Sequence, residues 1–228
     1  MMKQELLSSS IDNQFLNDQV FIGVSGMIGS GKTTLAKALA EKLGIGVHYE
    51  PVIDNEYLAD FYSDMKTYSF RLQVYLLNRR FEQHQKIIWG SNGGIQDRTI
   101  YEDTIFAKVL METGMMEKRD YDTYVSLFRN MSKFMKHNTM IIHLDVSPEK
   151  SLERIKLRGR DCENGITLEY LQKLHAGYEE WLTKISKIIP VIKVNWSEFR
   201  NLEDVLDEVL KAYNQIHNIQ HVTWQQEH

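Results

Sequence analysis

Residues 26–33 read Gly26-Met27-Ile28-Gly29-Ser30-Gly31-Lys32-Thr33, the spacing G-x-x-x-x-G-K-[ST]. No other stretch restricts the fold as much, because this pattern cradles phosphate only when a strand leads into it and a helix leads out. Both flanks comply. Val20–Val24 is an apolar, β-rich run, and Thr34–Leu43 carries apolar residues at helical spacing and closes on Gly44. The glycines permit a tight turn whose N–H groups point inward. Lys32 is placed to reach the β- and γ-phosphates of a nucleoside triphosphate, and Thr33 to offer its hydroxyl to Mg²⁺.

Four further apolar runs have the length of buried strands: Val47–Glu50, Gly94–Asp97, Met140–Val146 and Val191–Asn195. Helical patterns separate them at Tyr57–Ser63, Tyr68–Trp89, Asp103–Met111, Asp120–His137, Pro148–Leu157, Leu168–Ile188 and Leu202–His217. Such alternation predicts an α/β protein with a parallel sheet of about five strands, covered by helices on both faces. The 228 residues suit one domain, with two possible. The chain has only 3 prolines and no repeat or low-complexity linker, so no internal boundary is visible. The expected plan is a flexible, in part helical extension over 1–19, a folded domain over 20–216 and a flexible tail over 217–228. His217 and His221 stand at i, i+4 in that tail, a ligand-like spacing with no evident third partner, and a solvated tail is the better reading.

Composition excludes several classes. The net charge of −4 gives no electrostatic basis for binding nucleic acid. The single Cys162 excludes an internal disulfide and suits a reducing compartment, so a cytoplasmic location is expected. No apolar stretch approaches the ~18 residues of a membrane span. The first 19 residues contain Glu5, Asp12 and Asp18 but no Arg, unlike a mitochondrial presequence.

In open parallel sheets ligands gather beyond the carboxyl ends of the strands, which makes Glu50, Asp97 and Asp145 candidates. The base-reading N-K-x-D of a GTPase and the L-S-G-G-Q signature of a transport ATPase are both absent. Three other constellations are present. In Tyr49-Glu50-Pro51, Pro51 stops the strand, and Glu50 reads either as a general base for an attacking hydroxyl or as a turn cap. Within Gln96-Asp97-Arg98-Thr99, Asp97 suits Mg²⁺, directly or through water, and Arg98 suits charge on a transferring phosphoryl group; the alternative is a surface ion pair. The run Arg154-Ile155-Lys156-Leu157-Arg158-Gly159-Arg160 places Arg154 and Arg158 on one helix face, with a bend at Gly159. Beside a phosphate loop it suits an arginine lid closing over a triphosphate better than a solvated basic cluster.

Together these residues resemble the deoxynucleoside kinase family, which includes the deoxycytidine, deoxyguanosine and deoxyadenosine kinases and the multisubstrate insect enzyme. The resemblance runs from about Phe21 to Arg200. It is carried in order by Gly26–Thr34, Tyr49–Pro51, Tyr62–Arg80, Asp97–Asp103 and Arg154–Ile166, followed by Leu168-Glu169-Tyr170-Leu171. It implies a P-loop kinase fold with an arginine-rich lid, MgATP as phosphate donor, transfer to a deoxynucleoside 5′-hydroxyl, and a homodimer built on the long helices. By resemblance Glu50 is the general base and Arg98 supports it. Gly26 to Thr34 hold ATP, with Lys32 on its phosphates. Thr33 and Asp97 attend Mg²⁺, and Arg154, Arg158 and Arg160 are lid arginines. Tyr62 and Glu163 hold the sugar 3′-hydroxyl, Gln73 reads the base, and Arg80 and Asp103 form a charged pair deep in the base pocket. Leu58, Phe61, Leu72 and Ala107 line its apolar walls, and the stripe Leu72, Leu76, Arg79, Arg80 divides between core and pocket. Cys162 departs from the adjacent acids usual in the family, so only Glu163 is carried over. Asp97 ranks above Asp145 as the metal acid. The run Asp97 to Asp103, with Thr99 and Glu102, looks more like the bacterial-type purine kinases, which favours deoxyadenosine. Deoxycytidine, deoxyguanosine or broad specificity remain open, as do a thymidylate-like monophosphate kinase and an ATP-gated binding protein.

Overall fold

The computed structural model describes residues 20–50, 55–90, 92–198 and 201–220. The expected extension over 1–19, and Pro51 and His221, lie outside them. Five strands alternate with eight α-helices among the described residues. β1 (Phe21–Gly26) feeds the phosphate loop, and α1 (Lys32–Leu43) leaves it. Then come β2 (Val47–His48), α2 (Leu58–Ser63), α3 (Met65–Trp89), β3 (Gly94–Asp97), α4 (Asp103–Glu112), α5 (Lys118–Ser132), β4 (Met140–Asp145), α6 (Pro148–Arg158), α7 (Leu168–Ile185), β5 (Val191–Asn195) and α8 (Leu202–Gln220). The last helix thus continues past the expected end at His217, and β2 stops two residues short of Glu50.

All pairings are parallel, in the order β2-β3-β1-β4-β5. The central β1 is buried along its whole length, which is why it reads as an unbroken apolar run rather than an alternating one. Successive residues still serve opposite faces. Met140 and Ile142 join the layer containing Leu35 and Leu39 of α1 and Val205 and Val209 of α8, whereas Ile141 joins the layer of α3, α4, α5 and α7. The order β3-β1-β4 sets the ends of β1 and β3 side by side, with Val24 in register with Asp97.

Helix α3 carries several of the expected site residues. The Asp64 carboxylate caps its start by accepting from the Thr67 N–H at 3.1 Å. Its buried stripe is Ser69, Leu72, Gln73, Leu77, Arg80, His84 and Ile87, at steps of one to four residues. Gln73 and Arg80 are two turns apart on this stripe, about 10 Å along the axis.

Gly93 turns the chain into β3 with φ +67°, and a Cβ there would stand 2.2 Å from the Val20 carbonyl oxygen. Gly93→Ala is therefore expected to destabilise the fold by about 2–4 kcal/mol, measured by urea denaturation; an unchanged midpoint would show that the turn is not so constrained.

Candidate active site

The phosphate loop depends on backbone that only glycine adopts without strain. Gly31 has φ +88°, and a Cβ on it would meet the Trp196 indole nitrogen at 3.0 Å. The Lys32 ammonium is folded over its own loop, donating to the carbonyls of Gly26 (3.0 Å) and Met27 (2.7 Å). Burial and the nearby Arg98 bring it down to about 8, against the pull of Glu50, Asp97 and Glu102. The Ser151 hydroxyl on α6 donates to the Ile28 carbonyl and ties the loop to that helix.

Asp97 closes β3 beside that loop. Its Oδ2 accepts from the Thr33 hydroxyl at 2.6 Å, and its Oδ1 is buried without a hydrogen-bond partner among the described residues. Burial raises this carboxyl, with Glu50 adding to the effect. A bare carboxylate oxygen beside a threonine hydroxyl is a donor pair that fits a hard, oxygen-seeking cation. Asp145, the alternative acid, is engaged elsewhere by Lys193 (3.1 Å) and His175 (3.7 Å).

Arg98 has φ +76°, the one left-handed non-glycine residue among the described residues. Its N–H extends the sheet ladder to the Val24 carbonyl at 2.9 Å. Its Nε donates to Glu50 Oε1 at 2.8 Å, and the same oxygen accepts from Arg80 Nη2 at 2.5 Å. Arg80 Nη1 donates to Asp103 Oδ1. Burial alone would raise the Glu50 carboxyl, but Arg98, Arg80 and Lys32 prevail and hold it at about 2. Burial pushes Asp103 up against the pull of Arg80.

Most of the expected residues open on one cavity of about 590 Å³, a size suited to a small organic ligand. Its walls include Ile28, Gly29, Gly31, Lys32, Thr33 and Thr34 of the loop region, Glu50, Asp97 and Arg98. They also include Leu58, Phe61, Tyr62, Leu72, Gln73, Leu76 and Arg80, and from the far side Arg154, Arg158, Arg160 and Glu163. Gly26, Met27 and Ser30 are not among its walls, and Ser30 is fully buried. One expectation needs correction: Ala107 is fully buried in the core and does not line the cavity. Asp103 is also fully buried and pairs with Arg80 as expected, and its Oδ2 has no hydrogen-bond partner among the described residues. Arg79 of the expected stripe faces outward and pairs with Glu82 at 3.0 Å.

The basic run behaves as two parts. Arg154 lines the cavity and donates to the carbonyls of Trp196 (2.8 Å) and Ser197 (3.2 Å). On either side of the left-handed Gly159, Arg158 and Arg160 both pair with the buried Glu163, at 2.5 and 3.3 Å. Tyr62 is raised by burial and by the nearby Tyr170 and Glu163, so it remains a neutral hydroxyl. The sequence reading missed Tyr49, Phe106, Leu157 and Tyr170 in the walls, and Ser151 behind them. Tyr49, Leu157 and Tyr170 stand within the motif stretches named above, but their residue types are those of ordinary core or surface positions and carry no signal of a wall role.

A phosphate loop between β1 and α1, an acid closing the neighbouring strand and a cavity that runs on past both define a nucleotide-dependent kinase of the P-loop class. Residues 22–218 match the deoxynucleoside kinase family, and the chain belongs to it. It is 55% identical to the deoxyadenosine kinase of Dictyostelium discoideum over 92% of this chain and 87% of that one. It is 38% identical to the deoxyadenosine/deoxycytidine kinase of Bacillus subtilis (strain 168), covering 82% of this chain and 90% of that protein. Among solved structures, the deoxyadenosine kinase from M. mycoides with bound dCTP superposes with a TM-score of 0.76 at 31% identity, over 86% of this chain and all of that one. This membership sets aside the monophosphate-kinase and ATP-gated-binder readings.

The depressed Glu50 carboxyl has a signed consequence. Its contribution to stability is complete above about pH 4.5 and is lost as pH falls towards 2. Carboxyl ¹³C NMR of the protein should show Glu50 still ionised at pH 3, and Arg98→Leu should move its titration upward; an ordinary midpoint in the parent protein would contradict the two-arginine clamp.

Proposed function

We propose that this deoxynucleoside kinase phosphorylates deoxyadenosine at its 5′-hydroxyl, with MgATP as donor. The observation that carries the reading is the single cavity onto which the phosphate loop, Glu50 and Arg98 all open. In the proposed reaction the 5′-oxygen attacks the γ-phosphorus, the bond to the ADP oxygen breaks, and the hydroxyl proton passes to Glu50. Lys32 turns from its loop carbonyls to the β- and γ-phosphates, and the N–H groups at the start of α1 bind phosphate oxygens. Arg98 holds the carboxylate and the acceptor oxygen together. Arg154, Arg158 and Arg160 form a lid over the phosphates, excluding water that would otherwise hydrolyse ATP. Thr33 and Asp97 would hold Mg²⁺, which neutralises charge on the phosphates when bound. Tyr62 and Glu163 receive the 3′-hydroxyl.

Gln73 faces the base with one acceptor and two donor hydrogens, matching an adenine edge. The similarity to deoxyadenosine kinases supports that base. The same amide suits cytosine, and the Bacillus subtilis relative is named for both, so deoxycytidine is the second reading. We also propose a homodimer through α3 and α5, which expose the apolar Trp89 and Leu127, and a cytoplasmic location.

A panel of deoxyadenosine, deoxyguanosine, deoxycytidine and thymidine with MgATP should rank deoxyadenosine first by kcat/KM; deoxycytidine first would select the second reading. Glu50→Gln should cut kcat about 10²- to 10⁴-fold with ATP affinity nearly intact, and near-normal turnover would remove Glu50 from proton transfer. Asp97→Asn should raise the Mg²⁺ concentration for half-maximal rate about tenfold or more; an unchanged Mg²⁺ dependence would move the metal elsewhere.

A further inference from the structure

Behind the cavity, Glu102 and Tyr178 make a buried contact that the reaction scheme leaves unused. Glu102 is fully inaccessible and Tyr178 nearly so. Glu102 Oε1 accepts from the Thr99 N–H (2.7 Å) and hydroxyl (3.2 Å), completing a capping box at the turn after β3. Its Oε2 faces the other way and accepts from the Gly26 N–H at 3.2 Å, from Arg98 Nη1 at 3.3 Å and from the Tyr178 hydroxyl. The Tyr178 oxygen in turn accepts from Arg98 Nη1 at 2.9 Å and reaches the Gly26 carbonyl at 3.0 Å; its single proton serves that carbonyl or Glu102. Both backbone polar groups of the first loop glycine, and one end of Arg98, are therefore held by the same two side chains. The other end of Arg98 holds Glu50.

We propose that Glu102 and Tyr178 are positioning residues for phosphoryl transfer, a carboxylate–phenol clamp that locks Arg98 to the phosphate loop and so fixes donor against acceptor. The inference rests on the acceptor-side roles proposed for Glu50 and Arg98. Neither clamp residue lines the cavity, so neither touches a reactant. Their effect is on geometry. The donor phosphates ride on the loop that begins at Gly26, and the acceptor oxygen rides on the Glu50–Arg98 pair. A rigid link between the two removes a degree of freedom along the direction of transfer, where a misplacement near 1 Å can cost about 10²-fold in rate. The clamp also holds Arg98 in its left-handed backbone, which a free arginine would leave. Phe106, whose ring lies 4.9 Å below the guanidinium, closes the remaining side. The phenol stays neutral, because burial foremost and the Glu102 charge next drive its titration well above the usual range.

The test uses the full-length enzyme with Glu102→Gln, Tyr178→Phe and the double variant, with deoxyadenosine and MgATP. Glu102→Gln should lower kcat about 10- to 100-fold while both KM values change less than about threefold. It should also raise the ratio of ADP released to deoxynucleotide formed above one, because a mispositioned acceptor lets water compete. Tyr178→Phe keeps the ring and its packing and should show the same signs at smaller size. The double variant should be little worse than Glu102→Gln alone, as expected for residues acting as one unit. Unchanged kcat and an unchanged ADP ratio in folded Glu102→Gln would overturn the proposal, as would a rate loss that only tracks the folded fraction. If Glu102→Gln does not fold, Tyr178→Phe decides by the same two readouts. Failure of the underlying roles reads differently, as full turnover by Glu50→Gln in a parallel assay.

Discussion

The Arg98 guanidinium is the contact on which the rest of the site turns. One edge holds Glu50 and the other meets Glu102, Tyr178 and the Gly26 carbonyl. Around it stand two further cations, Lys32 and Arg80, and four carboxylates, Glu50, Asp97, Glu102 and Asp103, all buried except the half-buried Glu50. Taking charges out of water is costly, and removing one partner from such a group typically loses about 3–5 kcal/mol because its mate is left bare. The cluster survives because each cation meets at least one carboxylate or a set of carbonyls. The left-handed backbone of Arg98 adds about 1–3 kcal/mol of strain. A fold carries that burden where the position of the side chain matters more than its stability.

This arrangement also shapes the chemistry. A carboxylate held at about 2 by two arginines is a weak base. Phosphoryl transfer asks little of a base, since its transition state is loose and most of the rate comes from position and charge. Glu50 is well suited to orient a hydroxyl and to take its proton late. In the proposed reaction the same arginines that weaken it as a base would neutralise charge beside the transferring group. Arg80 donates to both Glu50 and Asp103, so the end of the cleft proposed to read the base and the end proposed to do the chemistry share one guanidinium. At the far wall, Glu163 holds Arg158 and Arg160 together, and as the proposed lid they must exchange that internal partner for phosphate oxygens.

Much of this was legible in the chain because the features are local. The phosphate loop announces itself by spacing, the five strands by apolar runs bounded by turns, and the acids Glu50 and Asp97 by their place at the ends of strands. The resemblance added Arg80, Asp103, Tyr62 and Glu163, and three of the four line the cavity. What escaped is what tertiary contact alone creates. Tyr178 lies 152 residues from the glycine it holds, on a helix whose pattern reads as plain core. Glu102 carries the visible spacing of a capping box with Thr99, yet that box uses only one of its two oxygens, and the other became a hub unseen in sequence. Ala107, expected in the walls from the resemblance, lies in the core instead, because a small residue on a buried helix face can serve core or cleft equally well.

The account stands on a carboxylate at position 50 that meets a sugar alcohol beside the terminal phosphate of ATP. A crystal structure with deoxyadenosine and a non-hydrolysable ATP analogue tests this most directly. The predicted result is a Glu50 oxygen about 2.6–3.2 Å from the 5′-oxygen, with Arg98 still bridging to the phosphate loop. A Glu50 side chain still clamped between Arg80 and Arg98 with the 5′-oxygen out of reach, or a nucleoside bound in another cleft, would contradict it.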